Sequence, residues 1–599
     1  MRHRIYGAHV AGTSSSRLVR KASLAAASVF AAAGLVATPD IGHGREATQP
    51  GMTVPSSDHS ASDHSTSWET YGRTYANTRF SPLTQINSGN VGRLKLAFTL
   101  QLGALRSNEA TPIVIGDTMY VSSSWGPKTT YALDARTGDI KWAYRPDLPD
   151  DMMQYSCCDV VSRGVSYDNG KIFVGRLDGY LVALDAKTGQ ELWKTQVVDY
   201  KQGSVITSPP VVLKGRVITG FAGGEYGVRG ALQAYDENTG KQVWKTWLTA
   251  TQDQPNGDSW KGDSARHGGA AAWNVGSYDA ATDTLFWGTS NASPWNSAVR
   301  STGTVDYGKL SNLYTASTVA LDPASGHIKW WFQGTPQDVW DYDGVNENVL
   351  ADLKENGQSV PALMKADRDG FFFVVNRNTG KLLSADPYVP VTWAKGYDIA
   401  TARPIADPDK RPALDHPVKG VCPSWIGGKN WQPMSFNPMT GLVYVASNNM
   451  CFDMKDMEPS YHRGVFYLGA DYNVYDGPGG YRGELAAWDP VHRRKAWEVK
   501  LPLPFNGGTM TTAGNLVFFG DITGNFRALD ARTGKTLWKI KLGSGIGAGA
   551  MTYAVAGKQY VAVVVGRTAT LPAAMGDAGK KIIATTPEGG SLFVFALGS

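Results

Sequence analysis

Tyr131-Ala-Leu-Asp134-Ala-Arg-Thr-Gly138, followed by Trp142, is the first clear copy of a unit that organises the chain. Val182-Ala-Leu-Asp185-Ala-Lys-Thr-Gly189 with Trp193 and Gln233-Ala-Tyr-Asp236-Glu-Asn-Thr-Gly240 with Trp244 repeat it, and the three tryptophans stand 51 residues apart. More distant copies are Val319-Ala-Leu-Asp322-Pro-Ala-Ser-Gly326 with Trp330, a degenerate Val375-Asn376-Arg-Asn-Thr-Gly380, Ala487-Trp-Asp489 with Trp497, and Arg527-Ala-Leu-Asp530-Ala-Arg-Thr-Gly534 with Trp538. Each unit reads as a strand, a tight turn and a second strand. Asp bonds the turn backbone, Gly accepts positive φ, and the apolar alternation is too brief for a helix. Paired strands with one tryptophan at a period of about 50 residues predict an all-β chain, a β-propeller of eight four-stranded blades. The repeated tryptophans then dock blade on blade rather than bind a ligand. Ser591-Leu-Phe-Val-Phe-Ala596 is expected to close the ring against Leu94-Lys-Leu-Ala-Phe98.

Composition agrees with this reading. Sixty-eight glycines, 19 tryptophans and 26 tyrosines with 19% charged residues suit short strands and aromatic packing. Residues 1–37 read as an export signal, with Arg2, Arg4, Arg17, Arg20 and Lys21 ahead of the apolar run Ala22 to Ala37. Those five basic residues account for the whole formal charge of +5, so no basic stripe is left to bind nucleic acid. The run is short for a membrane span. Residues 38–66, rich in Ser, His, Asp and Pro, read as a flexible tether, and its His43, His59 and His64 as solvated linker residues. Residues 67–599 are expected to be one propeller domain, periplasmic after export.

Four cysteines, Cys157, Cys158, Cys422 and Cys451, allow three pairings. A bond between neighbours is strained, because consecutive Cα atoms lie about 3.8 Å apart and relaxed disulfides prefer roughly 4.4–6.8 Å. Spacing leaves open whether Cys157 and Cys158 bond each other or pair elsewhere.

Some polar residues fall where the repeat does not ask for them. They are Glu225 in Gly223-Gly-Glu-Tyr-Gly-Val-Arg-Gly230, Asn291 in Gly288-Thr-Ser-Asn-Ala-Ser-Pro-Trp-Asn296, and Asp341 and Asp343 in Trp340-Asp-Tyr-Asp-Gly344. Carboxylate and amide oxygens suit a hard cation such as Ca²⁺, whereas each residue alone also suits a turn.

Taken in order, these motifs resemble the periplasmic quinoprotein alcohol dehydrogenases, the methanol/ethanol dehydrogenase family that uses pyrroloquinoline quinone (PQQ). The likeness runs from about Trp68 to the C-terminus. It implies a Cys157–Cys158 disulfide over one face of the quinone, Trp273 stacked on the other, and a Cys422–Cys451 disulfide. It implies that Arg163, Thr207 and Asn430 contact the cofactor, together with Ala222, Gly223 and Gly224 at the start of the Glu225 motif. Glu225, Asn291 and Asp341 would ligate the cation, and Asp341 would also be the base. Arg368 would stand beside the reactive carbonyl, as catalytic residue and cofactor contact. Asp343, one further carboxylate, resembles the lanthanide-dependent branch, but related calcium enzymes also carry an acid there, so Ca²⁺ is expected with a lanthanide ion as the alternative. The resemblance implies oxidation of an alcohol by hydride transfer to PQQ.

Three departures stand out: Ala271 where a threonine is usual, Gln337 for a histidine, and Asn506 for a tryptophan before Gly507-Gly508-Thr509-Met510. Losing an indole at Asn506 predicts a pocket for a bulky secondary or cyclic alcohol, a sugar, polyol or polycyclic compound among them. No Cys-x-x-Cys-His haem motif occurs, so electrons are expected to pass to an external cytochrome c. A cofactor-free propeller scaffold for envelope protein assembly gives no reason for Glu225, Asn291, Asp341 and paired cysteines to coexist. A glycosidase needs two carboxylates flanking a sugar, and Asp341 and Asp343 lie too close in sequence for that.

Overall fold

Four tryptophans of the repeat are held by the turn of the next unit through a hydrogen bond. Trp142 Nε1 donates to Ala186 O at 3.0 Å, Trp193 to Glu237 O at 2.9 Å, Trp244 to Pro323 O at 3.1 Å and Trp497 to Ala531 O at 3.1 Å. In every case the acceptor directly follows the repeat aspartate. The turn glycine completes the cradle: a Cβ on Gly240, which has φ +66°, would come within 2.6 Å of the Trp193 ring. Glycine is thus required twice, for its backbone angle and for the room it leaves. The aspartate closes its own turn. Asp185 Oδ1 accepts from Lys187 N at 3.0 Å and Thr188 N at 2.8 Å, and Asp236 and Asp530 repeat the arrangement.

The computed structural model describes residues 66–104, 106–124, 129–302 and 309–598, which lie in one compact unit, Gln49–Ser599. The leader and the tether up to residue 65, with His43, His59 and His64, fall outside the described residues. Among the described residues, seven four-stranded sheets and one five-stranded sheet follow the repeat. Val211–Leu213, Arg216–Thr219, Ala231–Asp236 and Gln242–Trp247 form one of them, each strand antiparallel to the next. The fifth strand, Phe80–Ser81, joins parallel to Thr509–Thr512. The ring closes as expected, because Leu94–Gln101 pairs antiparallel with Ser591–Leu597, Leu94 opposite Leu597 and Gln101 opposite Ser591.

Apolar faces fill the gaps between sheets. Ile113, Tyr120 and Ala132 of one sheet meet Val174, Val182 and Leu184 of its neighbour, all buried. Long connections after Leu382–Pro387 and after Leu442–Asn448 leave this regular wall. They add a two-stranded sheet, Ala394–Asp398 with Arg403–Ala406, and a three-stranded sheet, Val418–Val421, Met450–Asp456 and Ala470–Asp476. Two short helices, Thr570–Ala573 and Gly576–Thr585, interrupt the last sheet before its closing strand.

Candidate active site

The unrepeated residues converge. Glu109, Cys157, Cys158, Arg163, Thr207, Ala222, Glu225, Trp273, Arg368, Asn430 and Asn506 all line one inner cavity of about 100 Å³. A larger recess of about 460 Å³ shares Cys157, Cys158, Glu225 and Arg368 with it and reaches Asp341.

Cys157 and Cys158 are bonded to each other, and Cys422 to Cys451. The adjacent pair sits in a turn with Cys158 at φ +65° and Asp159 at φ +80°. Asp159 pins that turn. Its carboxylate accepts from Arg106 Nε at 2.9 Å, from Ser107 Oγ, and from Ala569 N at 3.2 Å.

Arg163 anchors the cavity's far end. It donates to Thr207 Oγ1 at 2.9 Å, pairs with Glu109 at 3.0 Å, and its guanidinium lies 4.9 Å from the Trp273 ring and 4.6 Å from the Trp431 ring. Thr207 and Ser208 both donate to Trp273 O, at 3.1 and 2.6 Å, and so hold the backbone behind that indole. Asn430 lines the same cavity, with its side chain bonded to Ile426 O and Trp431 N. Gly223 stands at φ +128°, where a Cβ would meet Gly203 O at 2.5 Å, and a Cβ on Gly224 would lie 3.1 Å from Asn291 Oδ1. These glycines bring the Glu225 segment close against Asn291.

The acidic group is buried as a set. Arg368 Nη1 lies 3.1 Å from Asp341 Oδ2 and 3.0 Å from Asp343 Oδ2. Asp343 also accepts from Asn291 N at 2.6 Å and Trp273 Nε1 at 3.1 Å. Asp341 has φ +64°, and Asp338 supports its turn by accepting from Trp340 N and Tyr342 N, both at 3.1 Å. Burial pushes the Glu225 carboxyl up to about 7, with Asp343 adding to the shift. Burial likewise raises Asp341 well above the carboxylate range against the pull of Arg368, and raises Asp343.

Two oxygens have no hydrogen-bond partner although both are buried: Asp341 Oδ1 and Asn291 Oδ1. Leaving such groups unpaired costs roughly 1–3 kcal/mol each, more for a charge. Three carboxylates and an amide oxygen are the donor chemistry of a hard cation, so the residues fit one. Among the described residues no three His, Cys, Asp or Glu side chains are drawn to ligating spacing, and Arg368 is the counterion on which Asp341 and Asp343 close.

Residues 68–418 and 480–561 match the family model for the PQQ-containing glucose/ethanol/alcohol dehydrogenase β-propeller domain. The chain belongs to the PQQ-dependent alcohol dehydrogenases. It is 41% identical to the lanthanide-dependent methanol dehydrogenase of Methylacidiphilum fumariolicum over 571 residues, 88% of this chain and 92% of that one. It is 41% identical to the quinohemoprotein alcohol dehydrogenase of Comamonas testosteroni over 534 residues, 83% of this chain and 72% of that one. A europium-containing methanol dehydrogenase structure superimposes with a TM-score of 0.84 at 40% identity, covering 89% of this chain and 98% of that one. This PQQ-dependent dehydrogenase therefore oxidises alcohols with PQQ as its cofactor. The inner cavity carries Trp273 and the Cys157–Cys158 pair on its lining together with Arg163 and Arg368, side chains suited to an aromatic, anionic group.

Asn506 is in the dehydrogenase's inner cavity but not in the recess that reaches Asp341. Its Nδ2 donates to Glu109 Oε1 at 3.2 Å, and Phe505 and Leu571 line the cavity beside it. Asn506 thus lines the cavity where an indole would stand and is tied to Glu109. At Ala271 the backbone N–H donates to Ser290 Oγ at 2.8 Å, a bond that needs no threonine at this position. Sequence reasoning missed Glu109, which is 3% exposed and pushed up to about 7 by burial, against Arg163. Like Glu225 it is an acid outside any repeat turn, but its partners Arg163 and Asn506 lie far off in sequence and leave no local signal.

Proposed function

We propose that this dehydrogenase oxidises a bulky secondary or cyclic alcohol, with Asp341 as the base and a lanthanide ion held by Glu225, Asn291, Asp341 and Asp343. The observation that carries the reading is Asp341 Oδ1. It is buried and unpartnered, on a residue that lines a recess of about 460 Å³, room for more than methanol. PQQ, when bound, supplies the hydride acceptor, and the cation a Lewis acid beside it. Arg163 and Thr207 would hold a cofactor carboxylate, Asn430 and the Ala222-Gly223-Gly224 backbone its edge, and Trp273 and the disulfide its two faces. Asp341 takes the alcohol proton as the carbinol hydrogen leaves. Arg368 favours the ionised form of Asp341 against the effect of burial, and its Nε, buried without a partner, would be free to donate to a cofactor oxygen.

A lanthanide is preferred to Ca²⁺ because Asp343 belongs to the buried set, so three carboxylates can offset a trivalent charge. The name of the Methylacidiphilum relative supports the same choice. Residues 67–599 act as one propeller domain, exported to the periplasm by residues 1–37 over the tether 38–66, and electrons leave to an external cytochrome c. Quinohemoprotein relatives support that acceptor. The test is dye reduction by an alcohol series after adding PQQ with La³⁺ or with Ca²⁺. La³⁺ should give the greater rate, and Asp343→Ala should remove that preference. Equal or greater activity with Ca²⁺ alone refutes the lanthanide assignment.

A further inference from the structure

The recess above Asp341 has walls of a particular kind. Trp295, Trp425 and Tyr472 form one continuous aromatic face, with ring centroids 5.6 Å apart between Trp295 and Tyr472 and 5.7 Å between Trp425 and Tyr472. Phe466 and Leu468 line the same recess from the connection that follows Met450–Asp456. Phe466 stacks on Tyr226 at 4.8 Å and yet leaves 52% of its surface in water. Polar side chains at the rim are committed to one another: Arg106 bonds Asp159, and Ser156 Oγ donates to Asp159 O at 3.1 Å.

This connection is fastened to the acidic site itself. Tyr467 N donates to Glu225 O at 2.7 Å, and Trp295 N donates to Leu468 O at 2.7 Å. Phe466 and Leu468 thus flank a residue bonded to the Glu225 segment, and one of them is bonded to the segment that carries Asn291. Their position is set by the same backbone that sets the acidic residues, so they form a fixed wall rather than a stray surface patch.

We propose that Phe466 and Leu468 are specificity-determining residues and that they select alcohols whose carbinol carbon bears an apolar, flat ring, against sugars and polyols. The inference rests on the reading of Asp341 as the base. An alcohol with its hydroxyl on Asp341 must direct its substituent out along the recess. There a ring gains contact with aromatic and aliphatic side chains and covers the exposed Phe466. A polyol would bring several hydroxyls that need partners; apart from the unpartnered indole N–H groups of Trp295 and Trp425, the recess offers rim groups already bonded to one another, Arg106 Nε, Asp159 and Ser156 Oγ. Methanol has no substituent with which to gain anything from these walls.

The test compares benzyl alcohol, ethanol and glycerol as substrates of the enzyme loaded with PQQ and La³⁺. Wild type should favour benzyl alcohol over glycerol. The benzyl alcohol to ethanol ratio of kcat/KM should fall about ten-fold in Phe466→Ala and in Leu468→Ala, the scale on which apolar pockets discriminate. A wild type that prefers glycerol, or ratios unchanged in both variants, overturns the proposal. A second readout needs no turnover: saturation-transfer NMR of benzyl alcohol with the unloaded chain should mark its ring protons, and the variants should lose the signal. If that signal behaves as expected while no alcohol is oxidised, the wall stands and the assignment of Asp341 fails. If alcohols are oxidised and the variants keep the signal, the wall fails alone.

Discussion

Asp185 and Asp341 are the same residue in two tight turns, and they behave in opposite ways. Asp185 spends its carboxylate on its own turn, bonding Lys187 N, Thr188 N and the Thr188 hydroxyl, and those bonds hold it below the ordinary carboxylate range. Asp341 sits in a turn closed by a different residue, Asp338, and is left buried with one oxygen unpartnered and its carboxyl pushed well up. A turn whose aspartate is locally satisfied is structure. A turn that borrows its closure from elsewhere frees its aspartate for chemistry, and the fold carries the cost of keeping that charge buried.

The strongest test of the contrast exchanges function for stability. Asp341→Ala should lower PQQ-dependent dye reduction by about 10²–10⁴-fold, the usual contribution of a positioned base. Its melting temperature should hold or rise, because a buried, poorly paired carboxyl is gone. Asp185→Ala should do the reverse, with full turnover and a lower melting temperature. Near-native dye reduction by Asp341→Ala at saturating PQQ and cation ends the assignment.

The wall of the propeller was legible because every unit solves the same packing problem with the same residues. Asp, Gly and Trp recur at fixed offsets, and for Trp142, Trp193, Trp244 and Trp497 the indole N–H reaches the carbonyl after the aspartate. The site was legible in part, wherever a polar residue broke the repeat. Glu225, Asn291, Asp341 and Asp343 stand together for that reason. Glu109 and Asp338 were not read, since their roles depend on partners far off in sequence, Arg163 and Asn506 for one and the Trp340–Tyr342 backbone for the other.

Glu109 sharpens the comparison through pH. Its carboxyl is raised to about 7 in the folded chain from an ordinary value of 4.5, burial outweighing Arg163. The stability this group contributes is therefore complete below about pH 4.5 and lost as pH rises through about 7. A shift of that size corresponds to on the order of 3 kcal/mol. Glu109→Gln cannot ionise. Measured by urea unfolding of the unloaded chain, the variant's stability relative to wild type should improve between pH 5 and pH 8. A constant difference across that range would mean Glu109 is already ionised at pH 5.

The smallest expected effect lies back in the wall, where Trp193 and Trp330 differ by one hydrogen bond. Both rings pack on the next unit's glycine, Gly240 and Gly380, but Trp193 Nε1 donates to Glu237 O at 2.9 Å, and among the described residues no equivalent bond is made by Trp330 Nε1. The unit after Trp330 is the degenerate one, with Asn376 in the aspartate's place. Phenylalanine keeps an aromatic ring against the glycine and removes the donor. Trp193→Phe should therefore cost about 1 kcal/mol more than Trp330→Phe, the net worth of one hydrogen bond to a carbonyl left without its partner. Differential scanning calorimetry of the two variants reads that difference. Equal losses would mean that ring packing alone docks the blades, and that the repeat aspartate serves only its own turn.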